Sequence, residues 1–146
     1  MSKSIAEKQA EIVDEFLAIS DWRDRYRHII ETSRTLEDLP EELRTDNIKV
    51  KGCQSQVWLH ASLHDGKVIF RADSDAAIVK GLVAIVVRVF SGHTPDEILA
   101  AGVDFVDKIG LSEHLSQSRA NGLSAMLRQI KLYAQVLKLQ ALAARG

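Results

Sequence analysis

Val57-Trp58-Leu59-His60-Ala61-Ser62-Leu63-His64-Asp65-Gly66-Lys67-Val68-Ile69-Phe70-Arg71-Ala72 is the stretch that decides the fold. Val57, Leu59, Ala61 and Leu63 alternate with Trp58, His60 and Ser62; beyond the break, Val68, Phe70 and Ala72 alternate with Ile69 and Arg71. A period of two sends alternate side chains to opposite faces of a strand. Asp65-Gly66 at the centre of the break suits a type I′ turn, whose two central residues both take positive φ. The segment predicts an antiparallel hairpin.

Outward in both directions the period becomes helical. Ser4 followed by Glu7 is a capping-box pattern, and Ile5, Ile12, Val13, Phe16 and Leu17 share one face of a helix expected to end near Ser20. Asp21 is placed to cap a second helix striped with Trp22, Tyr26, Ile29 and Ile30, so an antiparallel helical pair is expected before the chain loosens at Leu39-Pro40. After the hairpin, Asp73-Ser74-Asp75 offers three caps to a helix that is apolar on nearly every side, with Ile78, Leu82, Ile85, Val89 and Phe90 among its residues. Such a helix belongs at the centre of the molecule. Ser91-Gly92 ends it, and Thr94, Pro95 and Glu97 start a short helix with cap, first-turn proline and capping-box glutamate. Ser118 is expected to cap a last helix with Leu123, Met126, Leu127, Ile130, Ala134 and Leu137 at helical spacing. Helices, a small antiparallel sheet and helices again make an α+β fold with the helices packed on one face of the sheet.

A chain of 146 residues, 46% of them hydrophobic, is sized for one domain spanning 1–146. The formal charge of −1, with acids and bases interleaved, supplies no basic field for nucleic acid. The apolar run 76–90 is interrupted by Lys80 and Arg88 and is too short to cross a bilayer, so no membrane partner is expected. The first residues lack the apolar stretch of a signal peptide, and the one cysteine cannot close an internal disulfide; the expected location is the cytoplasm.

That cysteine, Cys53, sits in Val50-Lys51-Gly52-Cys53-Gln54-Ser55-Gln56-Val57-Trp58, just before the first strand. A structural cysteine keeps apolar company, whereas a reactive thiol needs access, backbone freedom and a nearby cation. Gly52 supplies the freedom, and Lys49 and Lys51 are the candidate cations. Spacing excludes several chemistries. A phosphatase-type loop would have arginine six residues after the nucleophile, where Leu59 stands, and thiol exchange of the thioredoxin kind needs a second cysteine. His28, His60, His64, His93 and His114 form no recognisable motif with Cys53 and, with one thiol, no closed metal-ligand set, so neither metal nor cofactor is expected on this chain. What remains is a lone nucleophile that takes an atom from a partner and hands it on without a second thiol to expel it. Persulfide relay is such a chemistry. The alternative is a stand-alone single-cysteine thiol enzyme. Gln54 and Gln56 read either as solvent-facing amides or as groups that bond a partner or the resting loop. Trp58 reads as a packing residue, and Gly122, costly within a helix, reads as a site of close packing beneath the thiol loop.

Gly52-Cys53-Gln54-Ser55-Gln56-Val57-Trp58, Asp73-Ser74-Asp75-Ala76-Ala77-Ile78-Val79-Lys80-Gly81-Leu82, His114-Leu115-Ser116 and Ser118-Arg119-Ala120-Asn121-Gly122-Leu123 together resemble the SufE sulfur-acceptor family, and Gln54 and Gln56 point to SufE rather than its CsdE branch. The resemblance reaches along nearly the whole chain. It implies an α+β fold shared with the IscU scaffolds and a partner-dependent role rather than a self-sufficient enzyme. In that role Cys53 takes persulfide sulfur from a SufS-type, pyridoxal-phosphate cysteine desulfurase, stimulates it and passes the sulfur to a SufB-containing scaffold complex for iron–sulfur cluster assembly. Gly52, Gln54 and Gln56 would face the partner, and Asp75 and Arg119 match positions implicated in docking to the desulfurase or responding to it. At Asp107 a family glutamate is replaced by its shorter homologue. On the residues alone, Asp75 reads as a helix cap and Arg119 as a surface cation with either a specific anionic partner or an ordinary salt bridge.

Overall fold

In the computed structural model, which describes residues 3–145, Asp65 and Gly66 take φ of 53° and 79°, both positive as a type I′ turn requires. The turn joins β1 (Val57–His64) to β2 (Lys67–Ser74), paired antiparallel from Val57 opposite Ser74 to His64 opposite Lys67. This register puts Val57, Leu59, Ala61 and Leu63 on one face with Ala72, Phe70 and Val68, and leaves Trp58, His60, Ser62, Ile69 and Arg71 on the other. Among the described residues these two strands are the whole sheet.

Among the described residues, seven α-helices accompany the hairpin: α1 (Ile5–Leu17), α2 (Trp22–Thr32), α3 (Ala77–Phe90), α4 (Pro95–Ala100), α5 (Phe105–Ile109), α6 (Leu111–His114) and α7 (Gln117–Arg145). Ser4 and Thr94 close capping boxes with Glu7 and Glu97, and Asp21 accepts the Arg23 N–H at 2.9 Å. The all-round apolar helix is central, with Leu82, Val83, Ile85, Val86, Val89 and Phe90 buried, and it packs on β2, α1, α2 and α7. The fold is α+β, as the order of periodicities predicts.

Three local expectations give way to longer-range contacts. First, α1 and α2 do not pair along their lengths: they meet through side chains such as Phe16 against His28, while α2 packs chiefly on α3 and α1 on α5 and then α3. Gly81 makes this possible, since a Cβ there would lie 2.1 Å from the Ile29 carbonyl oxygen. Ile29 is buried at that crossing while Ile30 turns outward, 38% exposed. Second, the cap of α3 is the backbone of Ala76, not an aspartate. Asp73 is instead gripped by Arg44 and by Lys80 at 3.3 Å. Burial pushes its carboxyl up, but hydrogen bonds from Arg44, the Ser74 N–H and Lys80 outweigh that and hold it below the usual carboxylate value. Third, α7 starts before Ser118: the Ser116 hydroxyl accepts the Arg119 N–H at 3.3 Å. Helices α5 and α6 were not signalled by periodicity, being shorter than two turns each; Phe105, Ile109 and Leu111 anchor them in the core.

Candidate functional site

The segment before β1 leaves and rejoins the hairpin over a few residues. The Val50 N–H donates to the Val57 carbonyl at 2.8 Å and Lys49 bridges to Trp58, so residues 51–56 form a closed excursion from the sheet. Gly52 enters it at φ 92°, in the region that favours glycine. Its far end is clasped reciprocally. The Gln56 N–H donates to the Asp75 carboxylate at 3.0 Å, and the Asp75 N–H returns to the Gln56 carbonyl at 3.3 Å. Asp75 therefore ties the thiol loop to the start of α3 rather than capping that helix.

Between these fastenings the Cys53 side chain turns inward onto α7. Its Sγ lies 3.6 Å from the Gly122 carbonyl oxygen, to which it donates. A Cβ on Gly122 would stand in contact with the sulfur, at 3.4 Å, so the thiol rests directly over this glycine. Beside it opens a cavity of about 330 Å³, with Val79, Leu82 and Met126 as apolar lining and Ser116, Ser118 and Arg119 as polar lining. Gln54 and Ser55 line it from the loop. Cys53, Gly52, Gln54 and Arg119 are thus brought to one place, and Gln56 and Asp75 form its clasp.

Burial pushes the Cys53 thiol above its ordinary value. The expectation that Lys49 and Lys51 activate it is not met in this resting arrangement. Lys49 pairs with Asp46 at 3.2 Å and lies 5.8 Å from the centre of the Trp58 ring, while Lys51 lines a different groove. At neutral pH the thiol is sheltered and protonated. Arg44 stacks on the same indole at 5.2 Å, in keeping with Trp58 as a packing residue. Arg119, exposed in the first turn of α7, has no carboxylate within 4.0 Å among the described residues, which removes the ordinary salt-bridge reading. None of the five histidines lines the cavity. Asp107 lies apart on α5, accepting the Ser112 hydroxyl. Residue-by-residue reading missed Val79, Leu82, Ser116 and Ser118 as cavity lining; their only signal is helical spacing from residues already implicated.

Fold and site define a one-cysteine α+β domain built around a sheltered loop thiol. The chain belongs to the SufE family, whose model, "SufE: Fe-S metabolism associated domain", matches residues 10–134. It is 48% identical over 130 residues to an uncharacterized SufE-like protein of Rhizobium meliloti, covering 86% of this chain and 93% of that one. Another uncharacterized SufE-like protein, from Synechocystis, is 39% identical over 130 residues, covering 89% of this chain and 82% of its own. The fold matches the solution structure of a hypothetical protein from Thermus thermophilus with a TM-score of 0.74 at 22% identity, over 88% of this chain and 93% of that one. Membership carries the coarse assignment of a sulfur acceptor in iron–sulfur metabolism. No described helix is long and apolar enough to cross a membrane.

Proposed function

We propose that this chain takes persulfide sulfur onto Cys53 from a SufS-type cysteine desulfurase, stimulates that enzyme by emptying it, and delivers the sulfur to a SufB-containing scaffold complex in the cytoplasm. The observation that carries the reading is the placement of Cys53: one thiol on a loop hinged at Gly52, resting over Gly122 beside a cavity that Arg119 lines. Transfer is a thiol exchange. The Cys53 sulfur attacks the outer sulfur of the donor persulfide, the bond between the donor's two sulfurs breaks, and the donor leaves as a thiol carrying the proton that Cys53 gives up. One sulfur atom moves and no external oxidant or reductant is consumed. Pyridoxal phosphate works in the donor, so the chain acts as a partner-dependent carrier rather than an enzyme in its own right.

The resting geometry supports a carrier in two ways. A half-buried, protonated thiol is a poorer target for adventitious oxidants than an exposed thiolate, and the same cavity offers room beside the sulfur for a second sulfur atom. A stand-alone thiol enzyme would need a base at the sulfur, and no histidine stands in the cavity lining. The test is intact mass without reductant after incubation with a cysteine desulfurase, pyridoxal phosphate and cysteine. A gain of one sulfur that reductant removes and Cys53→Ser lacks is the expected outcome; no gain with active desulfurases would defeat the reading.

A further inference from the structure

Next to the thiol loop lies a second and larger groove, of about 610 Å³, whose charge differs from that of the chain as a whole. Its cations are Lys49, Lys51 and Arg128, and its other polar lining is the amides of Asn47 and Gln129. No carboxylate lines it, although the chain holds 20 acidic residues against 19 basic ones. Asp46 engages Lys49 at 3.2 Å, but Lys51 and Arg128 are exposed and have no carboxylate within 4.0 Å among the described residues. Leu132, 54% exposed, adds an apolar seat.

The groove and the thiol cavity share their supports. Lys51 stands two residues before Cys53, across the Gly52 hinge, so the loop lines both spaces, the groove with Lys51 and the cavity with Cys53, Gln54 and Ser55. On α7, Gly122 lies beneath the sulfur while Ala125 and Arg128 follow at helical spacing and line the groove. Ala125 is also what a Cβ on Gly52 would meet, at 3.5 Å. A body seated in the groove therefore bears on the hinge of the thiol loop.

We propose that this groove docks an acidic segment of the sulfur donor, with carboxylates against Lys51 and Arg128 and an apolar side chain on Leu132. The proposal rests on the sulfur-acceptor reading of Cys53. The donor is the occupant, rather than the recipient, because the groove is formed while the thiol is unmodified and sheltered; that is the state the donor meets, whereas the recipient meets the persulfide. A protein suits the groove better than nucleic acid, since two unpaired cations beside an exposed leucine are far fewer than the row of phosphate contacts that nucleic-acid binding rests on. Opposed charges at such a site speed encounter and lower the concentration needed for half-saturation, and salt weakens both effects.

Sulfur transfer from the cysteine desulfurase of the same genome, followed by mass gain as the chain's concentration is varied, tests this. Wild type is compared with Lys51→Glu/Arg128→Glu and with Lys108→Glu, a reversal on α5 at an exposed cation paired with Asp104 at 3.3 Å. The expected result is a half-saturating concentration raised about tenfold in the double variant at low salt, a smaller difference at high salt, and no change for Lys108→Glu. Thermal melts establish that each variant is folded; should the double reversal melt early, Lys51→Gln/Arg128→Gln takes its place, with a smaller rise expected. Wild-type half-saturation in a folded double variant overturns the docking and leaves the acceptor reading intact. Absence of sulfur on the wild type removes both. Binding of a single-stranded oligonucleotide that the double variant loses, with transfer unchanged, would assign the groove to nucleic acid instead.

Discussion

Cys53 and Asp75 set how often the thiol is available. Burial raises the thiol's folded value, so the folded state holds its proton more tightly than the unfolded chain. The stabilisation this gives is fully present below the ordinary thiol value of about 8.5 and is lost as pH rises through the higher folded value. The stability gap between wild type and Cys53→Ser should therefore shrink on going from neutral to alkaline pH, read from urea melts of the two proteins side by side. The rate at which a small alkylating reagent labels native Cys53 should likewise rise at higher pH than it does for the unfolded chain. Asp75 governs the other route to exposure, opening of the loop. Removing its carboxylate in Asp75→Ala deletes an acceptor worth about 1 kcal/mol to the clasp on Gln56, enough to speed labelling about fivefold at fixed pH. Asp75→Asn keeps an acceptor oxygen and should stay near wild type. Equal labelling of both variants would show that the clasp does not control the loop. This role was hidden from local reading, because an aspartate before a helix has a ready use as a cap and nothing nearby in sequence shows that Gln56, nineteen positions earlier, claims it first.

Elements are placed by where α3 allows its neighbours to approach. The hairpin and α3 were legible because their signals are local: Asp65-Gly66 specifies its turn by backbone chemistry, and a helix apolar on all sides has nowhere to go but the centre. The packing of α1 and α2 was not legible, since two amphipathic stripes in succession look alike whether they face each other or a third element. Gly81 decides it. Without a side chain, α3 lets the α2 backbone come against it at Ile29, and just before the same end of α3, six residues ahead of Gly81, Asp75 supplies the thiol loop's clasp. Gly81→Ala gains helix propensity of about 1 kcal/mol, yet its Cβ would fall 2.1 Å from a backbone oxygen that no rotamer change can move. The net effect should be a loss of about 2–3 kcal/mol as α2 is pushed outward, measured as a lower denaturation midpoint with unchanged slope. A Gly81→Ala protein as stable as wild type would mean that the α2–α3 crossing yields freely.

At the scale of the whole molecule, one apolar cluster runs from Ile5 to Ala134 and draws on α1 through α7 as well as the hairpin, so the site has no support that is independent of the rest. The resemblance of scattered motifs brought Cys53 and Arg119 together before any coordinates; periodicity alone does not, because residues 53 and 119 meet only through the packing of α7 on the core. That packing identifies where α7 ceases to matter. Ile130 and Ala134 are fully buried, Tyr133 donates to the Leu59 carbonyl of β1 at 2.9 Å, and Lys131 ties down the end of α4 through the carbonyls of Ile98, at 2.6 Å, and Ala101. Beyond Leu137 the balance changes: Leu139 and Leu142 are 57% and 51% exposed, and the Lys138–Asp96 pair at 2.8 Å lies at the surface. A chain stopped after Leu137 should unfold in one cooperative transition within about 1 kcal/mol of the full chain, since surface pairs contribute no more than that. A chain stopped after Gln129 removes the buried pair and both anchors, which together exceed the net stability typical of a domain this size when the sheet and α4 are left unfastened. It should show no cooperative transition, and Cys53 in it should label as fast as in the unfolded protein. Circular dichroism melts and alkylation of the two truncated chains measure both, and a cooperative transition in the shorter one would place the supports of the thiol site upstream of residue 130.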